Sequence, residues 1–202
     1  MEKRASKKEE GFTLLELIFV VALGSLIMAA LIGLYSTGQR YYVTESARSD
    51  IIREGRSVLL WMSRDIKESV QVVESYDVYS TSTSSLVLKV PSIDANGDII
   101  DVDTEFDYII YRLNPDYPSK LERKVLPKAG VSSRSGSNKV LATKVNSFTL
   151  KSGGSELSGV ADLSTVESIE ISVVLQEIRF GRTFQETLNT LVKLRNKEIT
   201  SS

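Results

Sequence analysis

The chain is most uneven at its amino end. From Leu17 to Gln39 there is no Asp, Glu, Lys or Arg, and from Leu17 to Leu34 only Ser25 interrupts a run of apolar residues and glycine. A membrane crossing needs about 20 apolar residues. Phe12 to Leu34 supplies that length, with Thr13, Glu16 and Ser25 as its polar positions. Lys3, Arg4, Lys7 and Lys8 precede the run, diluted by Glu2, Glu9 and Glu10, and the next charge is Arg40. The excess of positive charge on the near side places residue 1 in the cytoplasm and the chain beyond Arg40 across the membrane. A cleaved secretory signal is the competing reading, but its apolar region spans about 7–15 residues and ends at a small-residue site. Here Ala29-Ala30 lies inside the run, which continues through Leu31, Ile32 and Leu34. The pattern therefore favours a retained span.

Beyond Tyr35 the run gives way to an amphipathic pattern without a proline or a glycine-rich linker. Ala47, Ile51, Gly55, Val58, Met62, Ile66 and Val70 recur at steps of three or four and share one helical side. Arg48, Asp50, Arg53, Glu54, Arg56, Arg64, Asp65, Lys67 and Glu68 fill much of the remainder. The expectation is one helix from near Phe12 to near Ser69, with residues 12–35 in lipid or filament core and 36–70 as the spine of a domain. Ala47, Ile51, Val58, Met62 and Ile66 are its packing residues, and Trp61 is a packing anchor beside them. Gly24, Gly33, Gly38 and Gly55 are its possible weak points. A coiled-coil stalk is disfavoured because no a/d heptad is sustained.

After residue 70 the pattern changes to short runs of Val, Ile, Tyr and Leu between turn formers. Strands are expected near 71–79, 86–90, 106–113, 121–126, 140–150, 167–176 and 183–195. Asn114-Pro115-Asp116, Pro118-Ser119 and the 80–85 segment read as turns. The Ser- and Gly-rich pieces 127–139 and 151–164 read as exposed loops. The fold class expected is α+β: a long amino-terminal helix packed by its outer half on a mainly antiparallel β-sheet head, residues 71–202.

Composition narrows the function. The 202 residues hold 25 Lys and Arg against 26 Asp and Glu, so there is no basic field for nucleic acid. With no His and no Cys, imidazole acid–base chemistry, Cys nucleophiles, disulfides and the usual zinc sets are excluded. No Ser-Lys or paired-carboxylate constellation can be placed by spacing, and no nucleotide-binding loop is present. A non-enzymatic role is expected.

The string Gly11-Phe12-Thr13-Leu14-Leu15-Glu16-Leu17-Ile18 resembles the processing and membrane-helix motif of type IV pilins and type II secretion pseudopilins. The resemblance covers about a tenth of the chain and implies a leader, residues 1–11, removed by a prepilin peptidase between Gly11 and Phe12. The same enzyme would methylate the new Phe12 amine, leaving the apolar segment in the mature protein. It further implies that Glu16 pairs with a neighbouring subunit's Phe12 amine during assembly. A carboxylate in the bilayer costs about 2.5–3.5 kcal/mol even on lenient scales, so it needs a partner or interfacial water. Residence in the headgroup layer without pairing is the plainer alternative. Many members of the family have proline, where the helix loosens in a filament, at the position that Gly33 occupies here.

A second resemblance follows in the head. Tyr111-Arg112-Leu113, Leu121-Glu122-Arg123, Val125-Leu126, Val145-Asn146-Ser147-Phe148-Thr149-Leu150, the 168–174 strand and the closing Phe184 to Asn196 are similar in order to the minor pseudopilin J and pilus PilW group. That group implies a low-abundance subunit in a tip complex with other minor pilins or pseudopilins. Its other partners would be the major subunit and an inner-membrane assembly platform with a separate cytoplasmic motor. A membrane-anchored adhesin or receptor would share the topology without cleavage at Gly11. One further motif competes for chemistry. Asp94, Asn96, Asp98 and Glu105 match offsets 1, 3, 5 and 12 of a calcium loop, but Ile99 stands where such a loop needs glycine. A solvated acidic turn is the favoured reading and calcium the alternative; no other cofactor is expected.

Overall fold

Thr13 begins the helix. In a computed structural model that describes residues 13–101 and 104–194, its Oγ1 accepts from the Glu16 N–H at 3.3 Å and its carbonyl accepts from Leu17 N–H at 3.2 Å. The first of these bonds satisfies a donor that a helix start leaves open, and the second is the first bond of the helical ladder. The helix α1 then runs Leu14–Glu68. It closes where Ser69 N–H reaches the Asp65 carbonyl at 3.0 Å and Ser69 Oγ caps the Ile66 carbonyl at 2.7 Å. By contacts the chain divides into two compact units, one ending at Glu45 and the other beginning at Ser46.

In the first unit the apolar side chains from Leu14 to Leu34 are exposed, and α1 is long and apolar enough there to cross a membrane. Its hydroxyls are satisfied within the helix: Ser25 Oγ donates to Ala22 O at 2.8 Å, Ser36 Oγ to Gly33 O at 3.0 Å and Thr37 Oγ1 to Gly33 O at 2.9 Å. A polar group bonded in this way enters lipid without an open donor.

The second unit is two antiparallel sheets and a small hairpin packed with the rest of α1. The strands are β1 (Gln71–Val72), β2 (Ser75–Tyr76), β3 (Tyr79–Ser80), β4 (Ser85–Pro91), β5 (Phe106–Leu113), β6 (Leu121–Leu126), β7 (Ser137–Ala142), β8 (Val145–Ser152), β9 (Ser155–Glu156), β10 (Ser168–Arg179) and β11 (Arg182–Lys193). One sheet has the order β1-β4-β5-β6-β7, the other β11-β10-β8-β9, and β2 pairs with β3. The main core joins Ile51, Val58, Met62 and Ile66 of α1 to inward residues of both sheets, among them Leu88, Ile109, Leu150, Ile171 and Val173. On the outer face of the first sheet, Tyr79 of the hairpin covers Val87 and Ile110, and Tyr76 stacks on Tyr108 with ring centroids 3.5 Å apart. That second cluster explains why β4 and β5 are apolar on both faces rather than alternating.

The α+β architecture agrees with the sequence pattern, and several boundaries are corrected. The expected 71–79 strand is three short pieces, because Asp77 takes a left-handed φ of 56° and turns the chain back between β2 and β3. The expected 140–150 strand is two strands in different sheets, separated at Thr143-Lys144. The 127–139 piece is not wholly a loop, since β7 starts at Ser137, and the 151–164 piece includes β9 and the buried Leu157. The apolar face of α1 meets two sheets rather than one. Residue 195, the expected end of the last strand, lies outside the described residues.

Candidate functional site

The site expected at the amino end is described in part. Gly11 and Phe12, the expected cleavage and methylation residues, lie outside the described residues. Glu16 stands in the first turn of α1, exposed, with no ion pair among the described residues. A carboxylate here lies next to the positive end of the helix dipole, an interaction of about 0.3–1 kcal/mol. That is smaller than the about 2.5–3.5 kcal/mol cost of carrying it into the bilayer, so the dipole alone does not offset burial and a partner or interfacial water is still needed. Chemically, this end of the molecule can offer one fixed negative charge on an otherwise apolar rod.

Along the rest of α1, Ala47, Ile51, Gly55, Val58, Met62 and Ile66 are buried. Gly55 has a specific reason to be glycine. A Cβ built there would stand 2.6 Å from Leu188 Cδ1 and 2.8 Å from Leu175 Cδ1, closer than real Cβ atoms approach. The residue read as a weak point in the helix is one against which side chains of β10 and β11 pack closely. Trp61 is half-buried rather than central. The Arg123 guanidinium lies 5.0 Å and the Lys139 ammonium 4.7 Å from its ring centroid, so it packs through cations as well as apolar contact.

Asp65 is the main correction to the helical pattern. Placed by the sequence on the polar side, it is 2% exposed. Its carboxylate accepts from Tyr111 Oη at 2.5 Å and from Arg123 Nε and Nη2 at 2.5 and 3.1 Å. Burial and then the Asp65 charge push the Tyr111 phenol well above its ordinary range. Burial opposes the Arg123 charge, but the Asp65 bond and charge outweigh it and raise the guanidinium. The cluster binds the last turns of α1 to β5 and β6, and every group in it is engaged with another; it is a structural tie.

A second buried carboxylate organises the expected 127–139 loop. Asp107 accepts from Ser92 Oγ at 2.9 Å, Lys128 N–H at 2.9 Å, Ser132 Oγ at 2.7 Å and Arg134 Nε at 2.9 Å. The segment is therefore latched to β5 instead of moving freely. A signal for this was present: Asp107 has the same strand parity as the inward Ile109 and Tyr111.

The acidic segment does not bring its four candidates onto one point. Asp94 accepts the N–H groups of Asn96 and Asp98 at 2.8 and 2.9 Å, and the Asp98 N–H first among these bonds holds its carboxyl below the usual range. Glu105 is turned to Lys128 Nζ at 2.5 Å. No group of three or more acids among the described residues is placed to hold a metal ion. Asp94, Asn96 and Asp98 form a turn bridged by Ile93 and Ile99.

A comparison with known families matches residues 6–32 to the prokaryotic N-terminal methylation motif. No curated protein and no solved structure matches the chain. The motif supports a type IV pilin-like protein, a subunit of a pilus or pseudopilus, with prepilin-type processing and assembly with other pilins. Together with the exposed apolar half of α1 it fits membrane anchoring, and the family it marks is structural rather than enzymatic.

Proposed function

We propose that this chain is a minor subunit that helps to initiate and cap a type II secretion pseudopilus. The observation carrying the reading is the position of Glu16. It lies inside the methylation motif, in the first turn of a helix whose next 23 residues carry no charge. A prepilin peptidase cuts after Gly11 and methylates the Phe12 amine. The subunit then waits in the inner membrane with its β-rich unit on the periplasmic side. Apolar helix faces gain little from meeting one another in lipid, so close packing and charge pairing set the register. Glu16 supplies its half of the pair to a neighbour's Phe12 amine, and opposite charges attract strongly where water is excluded.

The minor role rests on the order of the strand motifs in the second unit, an order that the secretion and pilus members of the group share. A PilW-like minor pilin that primes a type IV pilus is the nearest alternative, and an anchored adhesin or receptor the next. Partners are other minor subunits, the major subunit and an assembly platform with its own motor; no cofactor enters the mechanism.

Glu16→Ala tests the pairing. The variant is expected to insert in the membrane as wild type does, yet to recover several-fold less of the partner subunits on affinity isolation. Equal recovery would overturn the role of Glu16. The identity of the companion proteins in the wild-type isolate separates secretion machinery from a retractile pilus.

A further inference from the structure

The stretch after the apolar run holds a group of residues that neither the pairing site nor the β-rich unit uses. Tyr35, Tyr41 and Tyr42 are 69%, 69% and 76% exposed, and Arg40, the first charge after the run, stands among them. All belong to the first compact unit, which ends at Glu45. At about 100° per residue, Tyr35 and Tyr42 fall within about 20° of each other, while Arg40 and Tyr41 lie about 140° and 120° away on either side. The aromatic and cationic groups thus encircle the helix. A neighbouring protein helix would select one stripe, whereas a lipid layer meets every side.

We propose that Tyr35, Arg40, Tyr41 and Tyr42 form a collar that seats in the outer lipid headgroup layer and fixes the depth of α1. This rests on the membrane-anchor reading given above. Three features fit that occupant. Tyrosine carries an apolar ring and a polar tip, which matches the boundary between acyl chains and headgroups. Side chains on a helix lean toward its amino end, so Tyr41 and Tyr42 point back toward the bilayer from positions just beyond it. The polar groups also change character at this level. Ser25, Ser36, Thr37 and Thr44 all bond to carbonyls of their own helix, so the change lies in the charge: Arg40 is the first after the run and suits lipid phosphates. Gln39 Nε2 donates to Tyr35 Oη at 2.7 Å, so the deepest tyrosine of the collar carries its hydrogen bond with it.

The chain has no cysteine, so single labelling sites can be introduced on an otherwise unreactive background. The full chain would be placed in vesicles of phosphatidylethanolamine and phosphatidylglycerol, with a spin label at Leu26→Cys, Leu34→Cys or Val43→Cys. Accessibility to oxygen and to a nickel chelate then reports depth. The expected profile is lipid at 26, the boundary between 34 and 43, and a boundary displaced by about one helical turn, about 5 Å, when all three tyrosines are changed to Ala. Replacement by Trp should restore the original depth. A boundary that is unmoved by the Ala changes overturns the collar while leaving the span intact. That result would turn attention to a protein neighbour as the occupant. A label at 26 that reads as aqueous overturns the span reading itself, and the collar with it.

Discussion

Asp65 shows how a single residue can escape a periodic pattern. It follows Met62 by three positions and precedes Ile66, so it borders the buried face, but its charge assigns it to the polar side in any reading from the helix alone. Its partners, Tyr111 and Arg123, lie 46 and 58 residues away, and no local rule connects them. Removing one member of such a pair strands the other. Asp65→Ala should lower the stability of the folded chain by about 3 kcal/mol in urea denaturation, and adding Arg123→Met should recover part of that loss. A loss within experimental error for Asp65→Ala would show that the tie contributes nothing. Tyr111 adds a pH dependence of defined sign. Its folded value is raised, so its contribution is complete below the unfolded tyrosine value of about 10 and is lost as pH climbs toward the folded value. Stability of the wild type should therefore fall more steeply above about pH 10 than that of Tyr111→Phe. Parallel curves would contradict the assignment.

Among the elements, the long helix was the most legible, because a charge-free run followed by steps of three and four leaves little else to form. Its glycines were the least legible. Gly24, Gly33 and Gly38 have no atom within 4 Å of a built Cβ, whereas Gly55 has two leucine methyls inside 3 Å, and composition treats all four alike. Gly55→Val should cost about 1–3 kcal/mol in chemical denaturation, because Leu175 and Leu188 must give way. Gly38→Val, in open space, should leave the melting of the second unit unchanged. Equal effects would refute the close approach. The sheets were legible as strands but not as a topology. The break at Thr143-Lys144 that sends β7 and β8 to different sheets lacks a proline or glycine, and the Asp107 latch closes over residues 21 to 27 positions away.

For the whole molecule, the sequence carried the functional reading further than the geometry does. Gly11, Phe12 and Glu16 stand together in a short linear string, and the methylation motif matched over residues 6–32 includes all three. The calcium alternative needed a constellation instead, and Glu105, which spacing placed at the closing ligand position, is engaged with Lys128. The absence of His and Cys removes imidazole and thiol chemistry from this chain. The most direct test is the amino-terminal mass of the protein taken from native membranes. A chain that starts at N-methylated Phe12 and retains residues 13–34 is the result expected. A chain still carrying the leader, or a water-soluble product cut beyond Leu34, would contradict the account.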